Sequence, residues 1–241
     1  MASLFHIIKF KSLPSTNHYL REHYHNLSPN TVVVARHQSA GRGRFDRQWV
    51  DDGGNSLLVS ILLKEDEFNY PIPLVSLATA LAVAKSLDQV VATQIKWPND
   101  VLIQGKKVAG ILLEGVSSSK MDAIIVGIGL NINQRTFPLE IASKATSLTL
   151  ETGRHYDKDM LLMRLLTSFS EEYHALKRGT FSLDEYKRRL VMLGQTINYE
   201  GQTALVVGIS PLGALQIKMG EDFHEVTSGE VETIDLYHHH Q

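Results

Sequence analysis

The chain of 241 residues contains no cysteine. That absence excludes disulfides, thiolate zinc sites and cysteine nucleophiles, and gives no sign of an oxidising compartment. An excess of one charge sign is missing too: 24 basic side chains face 26 acidic ones, a formal net charge of -2, so no whole-molecule field draws it to DNA, RNA or an acidic membrane. Any positive patch must be local. No apolar run is long enough to span a bilayer. The stretch from Met1 to Ser12 mixes apolar residues with His6, Lys9 and Lys11 and lacks a secretory apolar block, so the expectation is a cytoplasmic protein. The sequence also lacks a His-Glu-x-x-His zinc pattern, a Gly-x-Ser-x-Gly elbow and a Gly-Lys-Ser/Thr following paired glycines, which disfavours zinc chemistry, serine hydrolysis and P-loop nucleotide binding.

What is present, 43% hydrophobic and 21% charged residues, suits a soluble globular protein with one large and one small domain. Phe5 to Phe10 alternates like a strand, Ser15-Thr16-Asn17 offers capping side chains for a following helix, and Thr31 to Ala35 is β-branched and buried in character. Ser56 to Leu63 reads as another strand. Leu74 to Leu87, opened by Pro71 and Pro73, has apolar residues at helical spacing throughout and belongs in a core. Ile95 to Trp97, Val101 to Ile103, Val108 to Gly115 and Ala123 to Leu130 are short apolar runs between turns, expected as strands of one sheet. Asp157 is placed to cap a helix to about Leu176, and Ser182 to Glu185 has capping-box spacing. Beyond Gly194 five short strand-like runs (196–199, 204–209, 214–218, 221–226 and 230–234) are separated by glycine turns, the texture of a small β-barrel. The expected division is residues 1–190, then 191–236, then a tail of 237–241 whose His238-His239-His240 run reads as solvated.

Gly41-Arg42-Gly43-Arg44-Phe45-Asp46-Arg47-Gln48-Trp49 crowds three arginines, two glycines and one tryptophan into nine residues. Glycine permits close backbone approach, arginine presents a planar fork of donors to phosphate or carboxylate, and the indole supplies a flat apolar lid. Taken alone, the segment is equally a solvated surface loop. A repeated RNA-binding tract is disfavoured, because the motif occurs once in a chain that is not basic. Lys96-Trp97-Pro98-Asn99-Asp100 has two readings, a simple turn or a ligand site with Asp100 oxygen on Mg²⁺ and Asn99 and Lys96 on a nucleotide. In Lys106-Lys107-Val108-Ala109-Gly110-Ile111-Leu112 a lysine enters a strand whose small residues permit close approach of a ligand or another backbone. Gly127-Ile128-Gly129-Leu130-Asn131 begins like a dinucleotide fingerprint but has Ile132 where the third glycine belongs, and its glycines equally leave room for a flat ring.

In this order, and with Gln38 and Ala145-Thr146-Ser147-Leu148, these segments resemble the biotin protein ligase family over nearly the whole chain. The resemblance implies an α+β fold: a catalytic domain like that of class II aminoacyl-tRNA synthetases, with a mixed sheet and flanking helices, and then a Src-homology-3-like barrel. Since no helix-turn-helix precedes Phe5, it implies the ligase alone, without DNA binding. It implies activation of biotin by ATP to biotinyl-5′-AMP, with Mg²⁺, and transfer of biotin to a lysine of a biotin carboxyl carrier domain; many members of the family pair across a two-fold. Ser15, Thr16 and Gln38 would bind the ureido ring, with Gly41 and Arg42 beside them, and Gly110, Leu112, Gly127 and Gly129 would line the biotin slot. Lys107 would contact the biotin carboxylate and the α-phosphate, acting with Arg42 and Asp100 in catalysis. Arg44, Arg47, Trp49, Lys96, Asn99, Asn131 and Ala145 match nucleotide-side positions, and Asp100 the metal-associated carboxylate. The chain departs from the family pattern at Phe45 and Asp46, where relatives often carry a basic residue and a glycine.

Overall fold

A computed structural model of the chain describes residues 5–51, 53–117, 121–229 and 232–233. The His238–His240 run and most of the expected 230–234 strand lie outside them, as does the side chain of Asp46. Among the described residues twelve strands form two sheets. The first is built from β1 (His6–Leu13), β2 (Thr31–Gln38), β3 (Ser56–Leu63), β4 (Gln94–Lys96), β5 (Asp100–Ile103), β6 (Lys106–Ser117) and β7 (Met121–Asn131), in the spatial order β1-β2-β3-β7-β6-β5-β4. β1 and β2 run parallel and every other neighbour antiparallel, so the sheet is mixed. The second sheet is wholly antiparallel: β8 (Thr196–Tyr199), β9 (Gln202–Ile209), β10 (Leu215–Met219), β11 (Asp222–Val226) and β12 (Glu232–Thr233), ordered β11-β10-β9-β8-β12.

Among the described residues six α-helices accompany the sheets: α1 (Thr16–His23), α2 (Pro73–Leu87), α3 (Leu139–Ala142), α4 (Leu148–Thr152), α5 (Lys158–Lys177) and α6 (Leu183–Arg189). The expected caps are in place, with Ser15 Oγ accepting from His18 N, Asp157 from the amides of Asp159 and Met160, and Ser182 from Glu185 N. Proline at the first helical position costs α2 nothing, since that amide has no partner in a helix. Every residue of α2 except Pro73 and Lys85 is buried, which is why its apolar pattern goes all the way round.

Strand alternation sorts the two faces of the first sheet. Leu57, Val59, Ile61 and Leu63 of β3 point into the large core shared with α2 and α5. On the opposite face Leu62, Val33, Ala123 and Ile125 form a smaller cluster with Leu20 of α1 and Tyr24. Helix α1 covers only part of that face. What remains open is paved by residues too small to fill it, and there the site lies.

Between α6 and the second sheet the chain stays tied to the first: Val191 N donates to Ile95 O at 3.0 Å, and the buried Trp97 Nε1 donates to Gly213 O at 2.9 Å. Apolar residues of the second sheet, among them Ile197, Val206 and Ile217, belong to the same core as α2.

Candidate active site

The uncovered half of the first sheet is floored by glycine. In the register, Gly110 of β6 lies opposite Gly129 of β7, and Leu112 opposite Gly127; Leu58 and Ser60 of β3 continue the two rows. All six point to the α1 face. A slot open to solvent therefore runs along the sheet where a strand pair would normally raise side chains. Valine or leucine at Gly110, Gly127 or Gly129 would fill it.

One end of the slot is polar. Gln38 Oε1 accepts from both Thr16 N at 2.7 Å and Thr16 Oγ1 at 2.9 Å, which fixes its amide and leaves Nε2 as a donor. Asp51, whose carboxylate accepts from Gln38 N at 2.9 Å and pairs with His37 Nδ1 at 2.7 Å, anchors the end of β2. Behind Thr16, the hydroxyl of the buried Ser60 lies 2.6 Å from Thr16 Oγ1 and 2.5 Å from Asn17 Oδ1.

The other end is cationic. A β-bulge at Val108 shifts the register of β6 against β5, so that Val101 faces Ala109 while Leu102 faces Lys107. Without the extra residue, Lys107 would alternate to the helix-covered face. With it, the lysine shares the glycine face, where a Cβ on Gly110 would come 2.9 Å from Lys107 Cε. Its ammonium lies 2.7 Å from Asp100 Oδ1. The backbone of Lys107 is held on its far side by the Lys144–Thr146 segment, through Lys107 N to Lys144 O at 2.8 Å and Thr146 N to Lys107 O at 2.9 Å.

The arginine segment folds over the slot as a small hairpin. Gly43 N donates to Arg47 O at 2.7 Å, Trp49 N to Gly41 O at 3.0 Å, and Arg42 bridges Gln48, with a single 3₁₀ turn, Arg44–Asp46, at the tip. Phe45 takes φ 53° there, in the left-handed region that glycine prefers, and its exposed ring lies 4.9 Å under the Arg44 guanidinium. Arg44 fastens the hairpin by donating to Asn99 Oδ1 at 3.2 Å and to Gly229 O at 3.4 Å. Asn99 Nδ2 in turn donates to Ile111 O at 2.9 Å, on β6. The Trp97–Pro98 peptide that opens this turn is cis. Trp49 rests over the glycine floor, with the Lys107 ammonium 5.8 Å from its ring centre.

The sequence profile of the Biotin/lipoate A/B protein ligase family matches residues 9–131, a span that holds the hairpin, the Lys96–Asp100 turn and both glycine strands. The chain belongs to that family. Among its relatives, the bifunctional ligase/repressor BirA of Bacillus subtilis is 32% identical over 94% of this chain and 74% of its own length. A biotin–[acetyl-CoA-carboxylase] ligase of Paracoccus denitrificans is 34% identical over 80% of this chain and 85% of its own. A biotin protein ligase of Aquifex aeolicus, solved in complex with biotin and ATP, superposes with a TM-score of 0.84 at 35% identity, covering 94% of this chain and 97% of that one. These relatives place the chain on the biotin side of the biotin/lipoate ligase family.

Most of the residues singled out for this family converge. Ser15, Thr16, Gln38, Arg42, Arg44, Trp49, Asn99, Lys107, Gly110, Leu112, Gly127 and Gly129 all line the slot. Gly41 stands just behind, where a Cβ would press on Gln38 Nε2 at 3.0 Å. Asp100 reaches the site through its ion pair with Lys107, and Lys96 sits opposite it in the β4–β5 register. Ala145 is joined to Lys107 by a parallel bridge, and Arg47 closes the hairpin. Asn131 is set differently: buried beneath the site, its Nδ2 donates to Thr146 O at 3.0 Å and its Oδ1 accepts from Gln134 Nε2 at 3.1 Å. Its amide is spent on holding the loop that backs Lys107.

Two further groups escaped the sequence reading. By sequence Asn17 reads only as a capping residue and Ser60 only as part of a strand; both line or back the polar end. Period two along β3 and β6 puts Ser60 and Glu114 on the same face as Leu58 and Leu112, but only the packing of α1 brings Asn17 to them.

For a metal, the described residues hold no cluster of three or more carboxylates and histidines. Asp100 is nevertheless a carboxylate set at the cationic end, its Oδ1 buried and paired with the Lys107 ammonium, and Tyr186, wholly buried in α6, has its phenol pKa raised by burial first and by the Asp100 charge second. One such carboxylate suits Mg²⁺, which takes one or two protein oxygens and completes its shell with substrate phosphates and water. No helix among the described residues is long and apolar enough to cross a membrane.

Proposed function

We propose that the chain is an ATP-dependent biotin protein ligase, which condenses biotin with ATP to biotinyl-5′-AMP and pyrophosphate and then transfers biotin to a lysine of a biotin carboxyl carrier domain. The observation that carries the reading is the slot itself: an apolar trough floored by Gly110, Gly127 and Gly129, with oriented amides at one end and Lys107 at the other. Its two ends match a bicyclic urea on an acyl chain. Gln38 Nε2 faces the ureido carbonyl, Ser15, Thr16 and Asn17 border the ring, and the valeryl chain runs along the glycines to bring its carboxylate to Lys107.

That carboxylate is ionised at neutral pH, so its attack on the α-phosphorus needs no general base. The barrier is repulsion between two anions. Lys107 and the arginines of the hairpin place fixed cations where the charge gathers, and losing one preorganised donor of this kind typically costs about 3 kcal/mol. Asp100 would hold Mg²⁺, which when bound supplies further positive charge on the departing pyrophosphate. Arg44, Arg47, Trp49, Lys96, Asn99 and the Ala145 backbone form the nucleotide side, while Asn131 supports it from beneath.

The mixed anhydride is destroyed by water, and the Gly41–Trp49 hairpin excludes it by lying across the slot. In the second step the ε-amine of the acceptor lysine attacks the acyl carbon and expels AMP. We read the first sheet and its helices, residues 1–190, as a catalytic domain of the class II aminoacyl-tRNA synthetase type, and residues 191–236 as a Src-homology-3-like barrel.

Exchange of labelled pyrophosphate into ATP, with biotin, lipoate, octanoate or no acid supplied, tests the reading. Exchange with biotin alone is the expected result. Exchange with lipoate or octanoate in its place moves the chain to the other side of the family.

A further inference from the structure

The polar end of the slot owes its orientation to a residue that does not line it. Asn17 is 4% exposed, and its amide nitrogen faces two oxygens, Glu114 Oε2 at 2.6 Å and Leu112 O at 3.5 Å. An amide oxygen turned to that carboxylate would be repelled, so Glu114 dictates that the NH₂ group points to it and Oδ1 points away. Oδ1 then accepts from Ser60 Oγ at 2.5 Å and occupies the space that a Cβ on Gly127 would need, on the slot side. Ser60 alone could not enforce this choice. A hydroxyl accepts as readily as it donates, and with Asn17 reversed it would donate to Thr16 Oγ1, 2.6 Å away. Glu114 is itself clamped by Arg21 NH2 at 2.6 Å from Oε1, with the carboxylate side chain only 17% exposed. A charge-assisted bond in such a setting is about twice as strong as a neutral one.

We infer that Glu114 is a positioning residue: held by Arg21, it sets the Asn17 amide so that an acceptor faces the ureido N–H groups of biotin while Gln38 presents a donor to the ureido carbonyl. This rests on the biotin reading above. A reversed Asn17 would set donor against donor, so the effect belongs to binding of the ureido ring and not to phosphoryl transfer.

Steady-state pyrophosphate exchange by the full chain, with biotin or desthiobiotin at saturating ATP, tests it. Replacing Glu114 by alanine should raise KM for biotin about tenfold, as expected for loss of one charge-assisted bond to a buried amide, with kcat and KM for ATP kept within about twofold. Desthiobiotin, which keeps the ureido ring and lacks the thioether ring, should lose by the same factor. E114Q, whose amide oxygen can still accept from Asn17, should stay within about threefold of the unaltered chain. R21A should shift KM in the same direction as E114A by a smaller factor, and carries the test even where E114A folds poorly. Unchanged biotin KM in E114A and R21A, or a fall in kcat shared equally by E114A and E114Q, would overturn the role of Glu114. Absence of biotin-dependent exchange in the unaltered chain would instead overturn the ligase reading beneath it.

Discussion

The indole of Trp49 lies over Gly129 so closely that a Cβ on that glycine would fall 2.5 Å from ring atom Cε2 and 2.6 Å from Cζ2. No real side-chain contact is that short. The closed position of the hairpin thus depends on a missing side chain on β7, 80 residues away along the chain, and Gly110 on the neighbouring strand gives the same ring its second clearance at 3.1 Å.

Gly129→Ala should therefore keep the fold but lift the hairpin. The expected outcome is release of the adenylate at least about tenfold faster, since closure is what keeps water from the anhydride. Quenched-flow measurement of adenylate retention checks it. Proteolysis of the 41–49 segment provides a second view: biotin should protect the unaltered chain and give the variant little protection.

Lys107→Ala removes a cation from the reacting end without touching the core, because the side chain is about a third exposed. Biotin-dependent exchange should fall by at least about 100-fold, the usual loss for one preorganised charge-stabilising group, with an unchanged circular dichroism spectrum. Normal exchange by this variant would contradict the assignment of the cationic end.

Trp97 connects the Lys96–Asp100 turn to the second sheet through its bond to Gly213 O. Phenylalanine there keeps most of the apolar volume and leaves a buried carbonyl without its donor, so stability should drop by about 1–3 kcal/mol. Urea unfolding measures the change. Because Asn99 and Asp100 follow on the same turn, KM for ATP should rise as well.

At the far edge of the molecule, Tyr70 bonds Tyr173 at 2.6 Å, and Tyr173 donates to Glu65 at 2.8 Å. Burial chiefly, and then the Glu65 charge, push the Tyr70 phenol up to about 12 from 10.0, against the opposing effect of its bond to Tyr173. A raised folded-state pKa means that the folded chain holds the proton longer than the unfolded one. Its stabilisation is complete below about pH 10 and is lost as pH rises toward 12. Tyr70→Phe should flatten the alkaline fall in stability across that window in denaturant titrations at fixed pH, and should leave exchange activity at pH 8 unchanged.

Much of this was legible in the sequence. Helices with strong local markers, such as α5 behind Asp157 and α6 behind Ser182, fell where capping chemistry put them, because those caps act over three residues. The strands of the first sheet were legible as apolar runs. Their order was not, since β3 pairs with β7 across more than 60 residues and nothing local records that choice. The short α3 and α4 were invisible to periodicity, which needs more than one turn to declare itself. At the site, the arginine segment and the Lys-Trp-Pro-Asn-Asp turn stood out by composition. Asn17, Ser60 and Glu114 did not, because each is ordinary in its own element and acquires a role only when α1, β3 and β6 meet. The bulge at Val108, which turns Lys107 to the glycine face, likewise has no mark in the sequence.

The most direct measurement is transfer itself. The purified chain, with ATP, Mg²⁺ and biotin, is incubated with an isolated biotin carboxyl carrier domain, and the acceptor is followed by intact mass and peptide mapping. The account predicts one biotinyl group on one lysine, dependent on ATP and lost with Lys107→Ala. An acceptor that stays unmodified while the chain consumes ATP, or that gains a lipoyl or octanoyl group when those acids are offered instead, would contradict it.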